Sequence, residues 1–409
     1  MGSTASTALE YGAPTEADMP QVGVVLSRAF EPTPDGAITW VREGIGVENA
    51  RVLRENGTVV ATSMRAPMGT WLGGRIVPQV GIAGVAVPPE ARGRGLAREI
   101  MRRCVLEMAE LGEPISTLYS AMHPLYRSVG YETAGQLFSA RVPAGMILSG
   151  DRGADWRPFV QSDLPGVKNC ASQRARHVSG ALDRGPYLWN RVFKPKAGPA
   201  EAFVAEDASG QIEAYCVYRV TDRTDGPTAG NARGKLMDLV DFGYLNGQGL
   251  DRLMGFLRGF SSVVGEIDLA DHPGSPMLSR LPDRRFAMSI HDPWMLRVVN
   301  VAGALEARGY AEALACEFVL RIRDPLLGAN NTPLHVSIGA GTAETRPANG
   351  AEAEHAIDLD IRHLGPILTG MQSATQLASL RLVRGAKAET AKLDAAFACT
   401  GEPCMFDFF

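Results

Sequence analysis

The stretch Arg92-Gly-Arg-Gly-Leu-Ala97 sets two cations and two glycines at the entrance of an amphipathic helix. Ahead of it, Gly81 to Val87 is a Val-rich apolar run of the kind a buried strand carries. Pro88 and Pro89 end that strand, because neither can donate to a sheet ladder. Behind it, Ala97, Ile100, Met101, Cys104, Val105 and Met108 recur at helical spacing, with Arg98, Arg102 and Arg103 between them. Strand, glycine turn and helix start leave backbone N–H groups pointing outward, and glycine lets a ligand reach them. That geometry binds phosphate, and Arg92 and Arg94 would add countercharge. On spacing alone, a solvated basic loop accounts for the turn equally well. The turn matches neither G-x-x-x-x-G-K-[ST] nor G-x-G-x-x-G.

A second candidate is Tyr126, in His123-Pro-Leu-Tyr-Arg-Ser-Val-Gly-Tyr131. A phenol can give up a proton, but one more amphipathic ring on a helix looks the same in sequence. Ile115 to Tyr119 reads as the strand just before it. Upstream, Asp18 reads as a helix N-cap with Pro20 in the first turn, and residues 31–36 as a loop. Trp40 opens a second helical pattern. Residues 51–64 alternate around Asn56-Gly57, the strongest two-residue hairpin signal.

The chain then repeats itself. Asp18-Met-Pro-Gln-Val22 recurs as Asp163-Leu-Pro-Gly-Val167. A hairpin at 201–206 and 211–221, a strand at 236–244, a helix at 250–260 and a strand at 266–269 follow in the same order. The equivalent turn, Leu245-Asn-Gly-Gln-Gly249, has no arginine, so the duplicate is expected to lack the anion site. From Trp294 the pattern changes. Trp294 to Tyr310 leads into a helix with Gly309 at its C′ position. Strands are expected at 316–323, 334–338 and 355–361, and helices at 364–369, 374–380 and 393–397.

The 409 residues suffice for two to four domains. Charged residues make up 21% and hydrophobic ones 45%, which is globular composition. A net charge of −4 gives no electrostatic reason to expect nucleic acid. No apolar run is long enough to span a bilayer, and Met1 to Thr7 reads as no signal peptide, so the expected compartment is cytoplasmic. The six cysteines form no CxxC pair and read as structural thiols. The histidines are scattered, and no metal site is expected.

Arg92-x-x-Gly95-x-Ala97 after a Val-rich strand resembles the acetyl-CoA signature of the GNAT acyltransferases. The resemblance implies that the turn Arg92, Gly93, Arg94, Gly95, Leu96 and Ala97 holds the CoA pyrophosphate. It also implies that the strand at Val85, Ala86 and Val87 pairs with the pantetheine arm. Together with the repeat, the W-x-x-R-x-x-N-V-x-x-A-L-E-A-R-G-Y segment and the tail Met405-Phe-Asp-Phe-Phe409, the whole chain is similar to one family. That family is Eis, the enhanced-intracellular-survival acetyltransferases of actinobacteria. The resemblance implies an α+β architecture: a catalytic GNAT domain at 1–147, a GNAT-like domain without the cofactor motif at 148–292, and a sterol-carrier-protein-like domain at 293–409. It further implies a homo-oligomer, often a hexamer, and acetyl transfer to amines of aminoglycosides and lysine-containing peptides.

Residue by residue, the resemblance makes Tyr126 the general acid and the α-carboxylate of Phe409 the general base, directly or through a water. A free α-carboxylate is a weak base, and an apolar setting beside Phe406 and Phe408 would strengthen it. Trp40, Gly84, Tyr119 and Ala121 fall at acceptor-pocket positions. Gly84 stands where the family often has Phe, and Tyr119-Ser-Ala121 where mycobacterial members have His-Ala-Ser. Gly84 is expected to open space, and the acceptor stays open. An alternative is a lipid- or sterol-binding protein acting through its third domain. A third reading is an aminoacyl or protein-lysine acyltransferase.

Overall fold

The computed structural model describes residues 8–31, 33–151, 155–222 and 234–409. The Met1 to Thr7 stretch, and Pro32 of the expected 31–36 loop, lie outside the described residues.

The local signals of the first copy become elements for the reasons read above. Asn56 and Gly57 both take positive φ, 53° and 75°, and close the hairpin of Ala50–Glu55 and Thr58–Leu72. Arg75–Ala86 follows antiparallel, and the helix Leu96–Glu110 buries Leu96, Ile100, Met101, Cys104, Val105 and Met108. Two arginines fix that helix to the sheet. Arg51 donates to Glu107 at 2.6 and 2.9 Å, and Arg65 lies 2.8 Å from the same carboxylate. The 31–36 loop reading is corrected in part: Thr33 caps a helix, Pro34–Thr39, through its side chain, and Trp40–Ile45 is a π-helical turn.

Asp18 precedes Met19–Ser27 but does not cap it. Its carboxylate accepts from the Thr15 N–H at 2.6 Å and from Arg54 at 2.6 Å. Asp163 repeats the device in the second copy, accepting from the Val160 N–H at 2.8 Å and from Arg157 at 2.7 Å. The repeated aspartate thus turns the chain back on itself, and its charge is met by an arginine in both copies.

Both copies lie in a single 13-stranded sheet. The strand after Gly130-Tyr131, Glu132–Pro143, does not close the first copy against Ile115–Tyr119. Ala287–Val298 takes that place, with Trp294 opposite Tyr119 and Val298 opposite Ile115. Glu132–Pro143 instead pairs its 139–143 end with Val264–Ala270 of the second copy. Each copy therefore borrows the other's last strand. The expected boundary at 292/293 falls inside Ala287–Val298, which runs unbroken across it.

The third unit is a five-stranded sheet, ordered Thr342–Pro347, Leu334–Gly339, Cys316–Arg323, Ile357–Asp360 and Val383–Arg384. Ala374–Ser379 and Lys387–Ala396 pack on it, and Ile361–Thr369 lies chiefly against Glu132–Pro143 and Ala287–Val298 of the large sheet. Gly309 is not a left-handed C′ residue, since Val301–Ala307 ends at an extended Arg308. Glycine is required there by close approach: a Cβ would stand 2.1 Å from the Gly73 oxygen. The segment from Trp294 to Tyr310 is a seam. Trp294 lies across Gly135 and Gly180, Arg297 pairs with Asp324 at 2.6 Å with both side chains buried, and Arg308 donates to the Gly309, Leu368 and Ala396 carbonyls.

Candidate functional site

The parallel pairing of Arg75–Ala86 with Ile115–Tyr119 runs from Gln79 opposite Ile115 to Ile82 opposite Leu118, and stops. On the other side, the ladder to Thr58–Leu72 shifts register between Thr62 and Met64, so Gly84 and Val85 bulge. Residues 83–87 thus run on with no strand on the Ile115–Tyr119 side. A sheet splayed in this way offers backbone groups to an extended ligand.

At the end of the splay sits the glycine turn. Gly93 and Gly95 both take φ of +77°, and a Cβ at either would meet nothing within 4 Å. Glycine is needed for conformation, and the space above it is open. Among the described residues, no side chain caps the helix Leu96–Glu110. The N–H groups from Gly93 to Arg98 have no protein acceptor among the described residues. The two cations differ. Arg94 is held by Glu55 at 2.5 Å, so its charge is already met. Arg92 points its Nε at the Val87 carbonyl at 3.3 Å and has no carboxylate partner among the described residues. Of the two cations expected to add countercharge, Arg92 is the freer. Beside the turn, a cavity of about 360 Å³ is lined by Arg98, Arg102, Arg127, Arg323 and Arg362 together with Asp324 and Asp360, and among the described residues all of these arginines but Arg98 pair with a carboxylate.

The second copy shows what closes such a turn. Its helix Gly247–Gly259 begins at Asn246, whose side chain accepts from the Gln248 and Gly249 N–H groups at 2.8 and 2.9 Å. Glu213 holds that side chain at 2.9 Å. The amides left open in the first copy are therefore filled by protein in the second.

Tyr126 is buried on the short helix His123–Arg127 and packs with Val80, Ile82 and Leu118. Its hydroxyl has no protein partner among the described residues, whereas the neighbouring Tyr131 hydroxyl is engaged by Ser116 at 2.8 Å. Burial pushes the Tyr126 phenol up to about 12, so it stays protonated. Phe409 lies on the opposite face of the same strand, its ring over Gly81, where a Cβ would come within 2.6 Å of it. Strand alternation explains this: Val80 and Ile82 face the helix, Gly81 faces the tail. Tyr126 and the Phe409 ring thus lie on the two faces of this strand at residues 80–82, just before the splay.

The tail side is aromatic. Tyr119 packs on Phe408 and Phe409 at 4.6 and 5.7 Å between ring centres, and its hydroxyl donates to the Asp407 carbonyl at 2.7 Å. Trp40 donates to the Tyr187 hydroxyl at 3.0 Å, and the Lys196 ammonium stands 5.2 Å from its ring. Lys196 also pairs with Glu31. Met68 and Tyr187 pack against both the Trp40 cluster and the cluster of Phe409 and Tyr119. Gly84 does not open space. Its φ is +57°, and a Cβ would stand 3.0 Å from the Trp40 ring and 2.8 Å from Met64. A phenylalanine there meets Trp40 and a left-handed backbone, which costs about 1–2 kcal/mol by itself. Ala121 is exposed in the loop after Tyr119. Tyr187, Met68 and Lys196 were not read from the sequence. The helix Pro186–Phe193 is visibly amphipathic, but nothing in it says that it faces the other copy.

A duplicated fold with one open and one closed anion turn, beside a smaller α+β unit, defines an acyltransferase of the GNAT class. Models of the acetyltransferase (GNAT) domain match residues 10–134 and 180–298, and a sterol carrier protein domain model matches 301–406. The chain belongs to the Eis N-acetyltransferase family: N-acetyltransferase Eis of Mycobacterium tuberculosis is 30% identical over 94% of this chain and 96% of that protein. An uncharacterized N-acetyltransferase of Streptomyces avermitilis is 25% identical over 87% of each. A GCN5-related N-acetyltransferase from Anabaena variabilis superposes with a TM-score of 0.89 at 28% identity, covering 98% of this chain and all of that one. Eis1 from Mycobacterium abscessus shares the fold, with a TM-score of 0.78 at 21% identity, covering 98% of this chain and all of that one. The protein is thus an N-acetyltransferase, and enzymes of this class take their acetyl group from acetyl-CoA. No helix among the described residues is long and apolar enough to cross a membrane.

Proposed function

We propose that this enzyme transfers acetyl from acetyl-CoA directly to an amine within a ternary complex. The observation that carries the reading is the splay beyond Ile82, with unpaired turn amides at one end and the chain terminus beside it. The pyrophosphate sits on the Gly93 to Arg98 amides with Arg92 as countercharge. The pantetheine arm runs along Val85, Ala86 and Val87, and the thioester reaches the gap between Tyr126 and Phe409.

The neutral amine attacks the thioester carbonyl, and a backbone N–H of the 85–87 segment stabilises the oxyanion. The C–S bond then breaks, and Tyr126 protonates the CoA sulfur. The Phe409 carboxylate takes the proton from the acceptor amine, directly or through one water. The acceptor lies along Trp40, Tyr187, Met68 and Tyr119, aminoglycoside-like or lysine-type in chemistry. The alternative of lipid carriage is the weaker reading: Phe318, Leu364, Ile367, Leu368, Phe397 and Met405 pack into one core, and the cavity of about 730 Å³ at the edge of the third unit, lined by Leu106, Val299, Val301, Leu326, Leu327 and Leu334, also carries Glu110, Asn300, Asn330 and Arg346. Assembly as a hexamer belongs to this reading through the family resemblance alone.

The test is thiol release from acetyl-CoA with polyamines, aminoglycosides and lysine peptides, in wild type and in a chain extended by one glycine after Phe409. Extension moves the charge by one residue and puts a neutral amide in its place. Release with at least one acceptor, reduced at least tenfold in kcat by the extension, is expected. An extended protein that folds and keeps full kcat removes the carboxylate from the mechanism.

A further inference from the structure

The tail is fastened residue by residue before it reaches Phe409. The Gln136 N–H donates to the Pro403 carbonyl at 3.0 Å, the Cys404 N–H to Ser179 at 2.8 Å, and the Met405 N–H to Gln136 at 3.1 Å. At Asp407 the fastening changes character. Its backbone carbonyl takes the Tyr119 hydroxyl, and its carboxylate takes Arg184 Nε at 2.7 Å. The two terminal nitrogens of Arg184 donate to Asp241 at 2.7 and 2.9 Å, and the Tyr215 hydroxyl donates to Asp241 at 2.6 Å. Side-chain exposure is 7% for Arg184, 3% for Asp241 and 12% for Asp407. Close by, Arg174 lies between the rings of Phe242 and Phe406 at 3.7 and 3.9 Å and pairs with Asp271.

Burying such charges carries a large desolvation cost, and apolar residues of similar size would often serve stability as well or better. What buried, forked hydrogen bonds supply instead is a fixed position. Arg184, Asp241, Tyr215, Arg174 and Asp271 all come from the second copy, whose own anion turn is closed by Asn246. Asp407 stands two residues from the terminus, a reach of at most about 7 Å. Holding it leaves the end little freedom, and the Phe409 ring over Gly81 removes much of the rest.

We infer that the second copy is an anchoring domain: Arg184, braced by Asp241, grips Asp407 and thereby sets where the Phe409 carboxylate sits in the first copy's cleft. Arg184 and Asp407 are positioning residues. The inference rests on the reading of that carboxylate as the base.

The test uses the full chain. Asp407→Ala removes the handle and leaves Arg184 paired with Asp241. It also leaves the buried Arg184 Nε–H without its acceptor, so the melting temperature falls, and kcat is read where the variant is shown to be folded. Positioning predicts a kcat loss of roughly 10- to 100-fold with the acetyl-CoA KM within about twofold. Asp407→Asn, which keeps an acceptor for Arg184, recovers most of that loss. In the chain extended after Phe409, Asp407→Ala costs nothing further, because the two changes act on one group. Full kcat in a folded Asp407→Ala protein overturns the inference, as does an undiminished further loss in the extended chain. Full kcat in the extended chain alone overturns the carboxylate reading and the inference with it. A kcat lost on extension but kept in Asp407→Ala overturns only the anchoring.

Discussion

At the scale of single residues, the two proposed proton carriers differ in what holds them. Tyr126 is set by packing alone, and its hydroxyl is bound to no protein group among the described residues. Tyr126→Phe should therefore leave the melting temperature within a degree or two and lower kcat roughly 10²-fold, with the acetyl-CoA KM unchanged. Burial raises this phenol above its ordinary 10 to about 12, so the proton is held more tightly in the folded state. Two consequences follow for pH. The rate should show no loss from Tyr126 ionisation below about pH 11. The tyrosine's effect on stability is constant below pH 10, and stability falls as pH rises from 10 through 12. Parallel kcat and melting profiles of wild type and Tyr126→Phe check both, and a wild-type basic limb near pH 9 that vanishes in the variant would contradict the assignment. Gly84 teaches a different lesson. Its identity departs from the family pattern, which suggested open space, yet Trp40 fills that space and the backbone is left-handed. A missing side chain in a sequence is an opening only if no neighbour moves in.

At the scale of elements, the turn before Leu96–Glu110 was legible because its chemistry is local: glycines with positive φ, then a helix start, all within a few residues. The closed turn of the second copy was legible as a missing arginine. The physical cause, Asn246 occupying the helix N-terminus, also lies in the local sequence, since asparagine is a preferred N-cap. The pairing of Arg94 was not legible, because its partner Glu55 ends a strand about forty residues earlier in the chain. These contrasts set opposite expectations for the two helix starts. Gly95→Asp forces a left-handed aspartate beside the phosphates and should weaken CoA binding at least tenfold by calorimetry. Asn246→Ala should cost about 1 kcal/mol of stability and leave CoA affinity and stoichiometry unchanged. A second equivalent of CoA bound by wild type would show that the second turn is open after all.

At the scale of the whole molecule, the sequence told the order of elements but not the partner of each strand. Alternating apolar residues at 132–143 say that a face is buried, and nothing in them says against which copy. The exchange of Glu132–Pro143 and Ala287–Val298 is therefore the feature least visible beforehand, and Arg184 gripping Asp407 across 223 residues is of the same kind. Its consequence is that neither acyltransferase copy is a unit that folds alone. A fragment of residues 1–147 keeps the splayed cleft and the glycine turn but leaves Ile115–Tyr119 without Trp294–Val298, and strips Glu132–Pro143 of both neighbours. A fragment of 148–298 loses the strand that covers Val264–Ala270. Each alone should show no cooperative thermal transition by circular dichroism. The break between them falls beside the exposed Leu148, outside any strand, so mixing the two fragments should restore one transition. Two tandem domains that each close on their own strand predict the reverse, with 1–147 melting sharply by itself. A sharp transition in that fragment would mean that Glu132–Pro143 can fold back on Ile115–Tyr119, and that the exchange is dispensable for the first copy's fold.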